Sequence, residues 1–375
     1  MNKYKVFVNE PLLAGNEKKY LLKCLTDGFI SSSGPFVKEF ENKFAKKVNR
    51  KYAISVTNGT AALQLAFDSL DIRKGDEVIL PSFTIISCVL PIVRSGAIPV
   101  LVDSDPTTWN MDINQIEKKI TSKTKAIIAP HIYGLPIDMD PLLKIAKKYN
   151  LKVIEDAAEV LGLKYKNKEC GSFGNVSTFS FYANKHITTG EGGMIVTDSK
   201  KIAERCRDLR NLFFNSKKRF VHHDLGWNQR FTNIQSALGL AQLEKLKSFI
   251  IKKRKIGRTY NKELSKIKIF YTPLNKTKYA ENIYWVYGIV LKKNSPINLN
   301  NLMQKLKKNR IETRNFFWPL HEQPILKKMG LFKNLKLPVS EYLARNGLYL
   351  PSGLAITKSQ QRFVINKIKK IILKL

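Results

Sequence analysis

Residues 177–193 read Ser177-Thr-Phe-Ser-Phe-Tyr-Ala-Asn-Lys185-His-Ile-Thr-Thr-Gly-Glu-Gly-Gly193. An apolar, β-prone run delivers a lysine into a loop rich in Thr and Gly, and a second apolar run, Gly193-Met-Ile-Val-Thr197, follows. An amine at such a strand end can be partly desolvated and its pKa lowered, as a Schiff-base lysine requires. Taken alone, the position suits either a catalytic amine or an ordinary surface lysine.

Upstream, short apolar runs recur as candidate strands: Glu77-Val-Ile-Leu80, Pro99-Val-Leu-Val-Asp103, Ala126-Ile-Ile-Ala-Pro130 and Lys152-Val-Ile-Glu-Asp156. Amphipathic stretches lie between most of them, such as Met139 to Tyr149, where Leu142, Leu143, Ile145 and Ala146 share one side. This alternation over residues 50 to 200 predicts an α/β fold with a mainly parallel sheet covered on both faces. In such sheets ligands gather beyond the carboxyl ends of the strands. Thr232 to Lys255 reads as one long helix. A smaller α+β domain is expected from about residue 256, with Trp285-Val-Tyr-Gly-Ile-Val290 as a strand and Leu302 to Asn309 as a helix. The expected division is a cofactor-binding domain over 1–255 and a C-terminal domain over 256–375, with the N-terminal segment packed across both.

The 375 residues include 43% hydrophobic and 10% aromatic side chains, which excludes a disordered chain, a collagen-like repeat or a disulfide-stapled miniprotein. Cys24, Cys88, Cys170 and Cys206 show no C-x-x-C or Cys/His spacing, so no zinc or other metal site and no disulfide framework is expected. The first ten residues carry no apolar signal-peptide core, and the uncharged run Val78 to Val93 is interrupted by Pro81 and Pro91. A cytoplasmic protein without a membrane segment is the expectation. The net charge of +35 is spread along the chain, as in Lys252-Lys253-Arg254-Lys255, mostly opposite apolar positions. It suits a solvated lysine-rich surface or a polyanion preference.

Two further elements carry chemistry. Glu155 and Asp156 end a buried strand, where a carboxylate needs a cationic partner, such as the pyridinium of pyridoxal phosphate, or else caps the next helix. Ser55-Val-Thr-Asn58-Gly59-Thr60 precedes a helix expected over Ala61 to Leu70. It offers free N–H groups and a hydroxyl either to a phosphate or simply to helix capping. The P-loop and dinucleotide-binding fingerprints are absent.

With these three elements in this order, the sequence resembles the nucleotide-sugar aminotransferases of the DegT/DnrJ/EryC1/StrS type, which are fold-type I pyridoxal-phosphate enzymes. The likeness runs from Ile30-Ser-Ser-Ser-Gly-Pro35 through Glu155-Asp156-Ala-Ala and Asn184-Lys185-His to Gly226-Trp-Asn228-Gln-Arg230-Phe-Thr-Asn233-Ile-Gln235. The resemblance implies that Lys185 bonds the cofactor and Asp156 binds its ring nitrogen. It assigns the cofactor phosphate to Gly59, Thr60 and Ser180, with Asn228 reaching over from a second subunit, so a homodimer with shared sites is implied. Where relatives often stack an aromatic ring after Pro-Ser-x-Thr, Pro81-Ser-Phe-Thr84 is followed by Ile85. The cofactor ring is then expected against Ile85 or Phe83. Another branch replaces the lysine by histidine and dehydrates; here Lys185 is kept, which favours transamination.

Thr108-Trp109-Asn110-Met111-Asp112 and Phe179-Ser-Phe-Tyr182-Ala-Asn-Lys185 resemble the GDP-perosamine synthase-like 4-aminotransferases. That branch implies L-glutamate as donor and a nucleotide-linked 4-keto-6-deoxysugar as acceptor, with no nucleic acid or membrane as partner. The alternatives are a C-3 aminotransferase, a dTDP- or UDP-linked acceptor, or a polyanion-binding protein that keeps the fold. The sugar pocket is expected to use Ser32, Gly34, Glu159, His186, Trp318 and His321, the last also readable as a packing residue. His222-His223-Asp224 reads as a surface loop.

Overall fold

The computed structural model describes residues 4–214, 218 and 220–374. In chain order it begins α1 (Glu17–Thr26), α2 (Pro35–Lys47), β1 (Tyr52–Val56), α3 (Gly59–Asp68), β2 (Glu77–Pro81), α4 (Leu90–Arg94), β3 (Ile98–Val102) and β4 (Thr124–Pro130). There follow α5 (Met139–Lys148), β5 (Lys152–Asp156), β6 (Lys164–Tyr165), β7 (Lys168–Glu169), β8 (Val176–Ser180), β9 (Gly193–Thr197), α6 (Lys200–Arg210) and α7 (Asn233–Leu264). The remainder is β10 (Phe270–Tyr271), β11 (Tyr287–Leu291), α8 (Leu299–Lys308), β12 (Arg314–Asn315), α9 (Pro324–Lys328), α10 (Pro338–Asn346), β13 (Gly347–Leu350) and α11 (Lys358–Ile372).

The main sheet has seven strands in the order β1-β9-β8-β5-β4-β2-β3. Only β9 runs against its neighbours, β8 and β1; β5 pairs with β8 and β4, and β2 with β4 and β3, in parallel. Each expected strand of the large sheet is present. The edge strand β1, over Tyr52–Val56, and the β6–β7 hairpin, whose strands have two residues each, lie outside the expected strands.

Two apolar layers cover the sheet. On one face Phe40, Phe44, Leu142, Leu240 and Phe249 belong to one buried cluster, and on the other Leu63, Phe67, Ile92 and Leu209 belong to a second. A four-stranded antiparallel sheet, β10-β11-β13-β12, forms the small C-terminal unit with its own cluster, including Leu302, Leu306, Ile365 and Ile368.

Local sequence explains the helix starts. Pro35 opens α2 at a position where its missing N–H costs nothing. Thr232 and Gln235 form a capping box at the head of α7, and Thr357 and Gln360 do the same for α11. Helix α7 continues past Lys255 to Leu264, giving Leu240, Leu246 and Phe249 to the large core and Ile256, Tyr260 and Leu264 to the small one. The N-terminal segment ties the units together. Val6 bridges Ile311, Ser352 N–H donates to Val8, and Asn9 Nδ2 donates to the carbonyl of Ala183 in the lysine loop.

Among the described residues, no helix is long and apolar enough to cross a membrane.

Glu155 shows how the sheet is locked. Adjacent residues of a strand face opposite sides, so Glu155 points away from its neighbour Asp156. It accepts from Gly171 N at 2.6 Å, Phe173 N at 2.9 Å and Ser177 Oγ at 2.9 Å, and bonds His131 Nε2 at 3.0 Å. Burial would raise its pKa, but His131 and the N–H groups of Gly171 and Phe173 outweigh burial and hold it at about 2, below the ordinary 4.5. A carboxylate so depressed stabilises the fold above its unfolded value, and that stability is lost as pH falls toward the folded one. We therefore predict that Glu155→Gln costs about 3–5 kcal/mol at pH 7, as for a broken buried pair. In chemical denaturation, its deficit against wild type should shrink as pH falls from 4.5 toward 2.

Candidate active site

The parallel strands β1, β2, β4, β5 and β8 all end on one side of the sheet, and their following loops enclose a cavity of about 680 Å³. After β1 comes the start of α3. Asn58 caps it, its side chain accepting from Ala61 N at 2.8 Å, so the helix begins at Gly59, two residues before the expected Ala61. Free N–H groups of this first turn and the hydroxyls of Thr60 and Ser180 line the cavity. Thr60 Oγ1 also contacts Ser87 Oγ at 2.8 Å, which adds a third hydroxyl from the loop after β2. A Cβ on Gly59 would lie 2.8 Å from Ser180 Cβ, so glycine is what lets the helix end approach β8 this closely. The result is a cradle for a phosphate.

At the floor, Asp156 is 6% exposed. Its carboxylate accepts Ala158 N at 3.1 Å and a thiol contact from Cys88 at 3.5 Å. Burial raises its pKa against the opposing pull of Ala158 and Lys185. A carboxylate taken from water with so little compensation favours a cation above it. A protonated ring nitrogen is such a cation.

Lys185 stands in the same cavity. The loop that carries it is closed at its base, with Phe181 N donating to Gly192 O at 2.8 Å and Thr189 N to Phe181 O at 3.0 Å. Its side chain is 12% exposed; Nζ lies 3.8 Å from Glu159 Oε1 and 3.8 Å from the centroid of the Trp285 ring. Burial lowers its pKa, opposed by Glu159 and Asp156. Glu159 accepts Tyr133 N at 2.7 Å, and burial pushes it up to about 8. The Glu159 carboxyl can thus hold or release a proton close to neutral pH beside the amine. An amine of lowered pKa, a buried acid and a phosphate cradle together fit pyridoxal phosphate: Lys185 could meet its aldehyde, Asp156 its ring nitrogen and Gly59, Thr60 and Ser180 its phosphate.

Ile85 lines the cavity and is 45% exposed, whereas Phe83 does not line it: its ring is fully buried against Tyr133, Phe316 and Phe317. The reason is that β2 ends at Pro81 and the chain bends over Ser82–Thr84, so residues 83 and 85 do not keep the common face that a strand would give them. Of the six residues expected around the sugar, Glu159 alone lines the cavity. His186 is buried beneath the lysine loop, where burial holds its imidazole well below the usual range. His321 is also buried, bonded to Ser82 Oγ at 2.7 Å and Glu341 Oε1 at 3.2 Å, so it fastens the loop after β2 to α10. Gly34 packs on Asn233, where a Cβ would be 2.1 Å from Cγ; Ser32 and Trp318 are exposed outside the cavity.

Asn228 is exposed as well, with Oδ1 accepting from Arg230 Nε, while its neighbours Trp227 and Gln229 reach the cavity. His222, His223 and Asp224 are at the surface, Asp224 pairing with Arg205.

Phe317, from the loop that carries the expected Trp318 and His321, lines the cavity in their place, and residues that no motif singled out join it: Trp285, Arg314 and Tyr349 from the C-terminal part, Gln64 of α3 and Arg94 at the end of α4. Trp285 lies a hundred positions from Lys185, and only tertiary packing of the C-terminal part on the lysine loop brings them together.

A family model described as the DegT/DnrJ/EryC1/StrS aminotransferase family matches residues 11–369. A GDP-perosamine synthase of Escherichia coli O157:H7 is 42% identical over 363 residues, covering 97% of each chain. One from Vibrio cholerae is 38% identical over 363 residues, covering 96% of this chain and 98% of its own. Among solved structures, the PLP form of Spr1654 from Streptococcus pneumoniae matches with a TM-score of 0.90 at 25% identity, over 98% of both chains. The match spans both sheets and every strand end that builds the cavity, and the chain belongs to the DegT/DnrJ/EryC1/StrS aminotransferase family, with pyridoxal phosphate as its cofactor.

Proposed function

We propose that the chain moves the amino group of L-glutamate to C-4 of a GDP-linked 4-keto-6-deoxysugar, yielding a 4-amino-4,6-dideoxysugar nucleotide for glycan assembly. The observation that carries this is the nearly buried amine of Lys185 in a cavity that is also lined by the phosphate cradle and by Arg314. The GDP-linked acceptor follows the relatives that act as GDP-perosamine synthases.

When bound, pyridoxal phosphate supplies an aldehyde for amine exchange and an electron sink for breaking a C–H bond. Gly59 and Thr60 grip its phosphate through the start of α3, with Ser180 adding its hydroxyl. Asp156 would hold the ring nitrogen in its protonated form, and Ile85, at the cavity, would offer apolar surface to the ring. Lys185, once its amine is free, takes the proton from the α-carbon of glutamate; in the second half it returns a proton to C-4 of the sugar. Glu159 lies 3.8 Å from that amine and can hold the exchanged proton. Arg314 and Arg94, both at the cavity, suit the carboxylates of glutamate and the diphosphate of the sugar nucleotide. Phe317 and Tyr349 offer flat apolar surface to the sugar.

A second copy of the chain completes this scheme. Ile85, Tyr182 and Trp227, all at the cavity, are each more than 40% exposed, and Leu22, Leu25, Phe29 and Ile30 form an exposed apolar run along and after α1. Such a patch suits a partner surface, and an exposed Asn228 beside it is free to reach the phosphate of the other protomer. The working site is the cytoplasm, where the sugar nucleotide is available.

Lys185→Ala should remove the visible absorbance band of the bound cofactor and lower kcat by about 10³-fold or more; an unchanged band would overturn the assignment. With glutamate as donor and GDP-, dTDP- and UDP-linked 4-keto-6-deoxysugars offered separately, the GDP-linked sugar should turn over with the highest kcat/KM. Preference for a dTDP- or UDP-linked ketone, or amination at C-3, would replace the acceptor named here. Mixing inactive Lys185→Ala and Asn228→Ala chains after dissociation should restore up to about a quarter of wild-type activity, because one site per hybrid dimer is then intact. No recovery, with hybrids present by native mass, would refute shared sites.

A further inference from the structure

Lys253 projects from α7 into the interior at 3% exposure, and no carboxylate pairs with it among the described residues. Its Nζ donates to two carbonyls, Trp285 O at 2.8 Å and Ser352 O at 2.6 Å. Those carbonyls flank two strands of the small sheet: Trp285 stands just before β11 and Ser352 just after β13. Burial lowers the pKa of Lys253 to about 7. A cation in this place is costly, and its two bonds fix one residue of special position.

That residue is Trp285. Its Nε1–H donates to Asn184 O at 2.9 Å, the carbonyl just before the reactive lysine, while its ring face lies 3.8 Å from Lys185 Nζ. Behind it stands the Tyr133 ring, with centroids 6.0 Å apart, and Tyr133 N–H holds Glu159 on the other flank of the amine. The indole thus touches both the backbone and the amine of the lysine segment, and its own backbone is anchored by Lys253.

We propose that Lys253 is a positioning residue for transamination: by holding the carbonyl of Trp285, it fixes the indole wall that orients and shields the amine of Lys185. This rests on the aminotransferase reading for what Lys185 does. A merely architectural Lys253 would support the small sheet without reaching the amine.

The test uses full-length Lys253→Met, Trp285→Leu and the double variant. In cofactor-free protein, acetic anhydride labelling of Lys185 is followed by peptide mass. In loaded protein, the single-turnover rate with glutamate is measured against glutamate concentration. Each single variant should label at least about 5-fold faster than wild type and turn over about 10- to 100-fold slower, with half-saturation changed less than about 3-fold. The double variant should stay within about 2-fold of Trp285→Leu on both readouts, because the two residues act in series. Labelling of Lys253→Met at the wild-type rate, or effects that multiply in the double variant, would overturn the proposal. Should Lys253→Met fail to fold, Lys253→Gln is judged by the same criteria. Labelling needs no cofactor, so a protein that showed no cofactor band would refute the activity while these ratios still decided the role of Lys253.

Discussion

A carboxylate withdrawn from water at the end of β5 is the constraint around which the site is arranged. Asp156 has a backbone N–H and a thiol for company, and its neighbourhood favours a positive charge. Glu155, one residue earlier, has the opposite fate: His131, two backbone N–H groups and a serine hydroxyl satisfy it within the protein. The pleat of one strand therefore separates a structural acid from a functional one. Everything else in the cavity complements Asp156. The helix end at Gly59 attracts an anion, and the amine of Lys185 lines the same cavity beside Glu159 and Trp285.

The sheet supplies the floor, but the wall comes from elsewhere. Helix α7 threads both cores, and Lys253 on it reaches the backbone beside β11 and β13. Trp285, Arg314, Phe317 and Tyr349 are thereby brought to the lysine from the far end of the chain. The N-terminal segment adds a third tie, through Asn9 to the lysine loop. The lysine loop and its amine are consequently held by stretches of sequence far from them in the chain.

Much of this was legible beforehand because its signals are local. An apolar strand that ends in an acid, a glycine before a helix and a lysine after a strand each leave a short, readable trace, and Gly59, Thr60, Asp156, Glu159, Ser180 and Lys185 do line one cavity. The expected sugar pocket fared differently. His186 and His321 were judged by residue type, yet burial makes one a silent imidazole and the other a link in a hydrogen-bonded chain. Trp285 and Arg314 escaped notice because their meaning depends on which sheet edge meets which loop, and no periodicity encodes that. Phe83 and Ile85, two positions apart, would share a face in a strand, and only the bend after Pro81 sends one into the core and leaves the other at the cavity.

The aromatic seam between the two sheets has a further consequence. Phe83, Tyr133, Phe316 and Phe317 meet edge to face or tilted, with centroids between 4.8 and 6.0 Å apart, and Phe317 also forms part of the cavity wall. Rings packed in this way shift by repacking and not by gradual bending. The width of the slot is accordingly quantised: a bulkier sugar gains admission when a whole ring is trimmed, so acceptor range in this scaffold should evolve by steps at a few aromatic positions and not by drift of the surrounding loops.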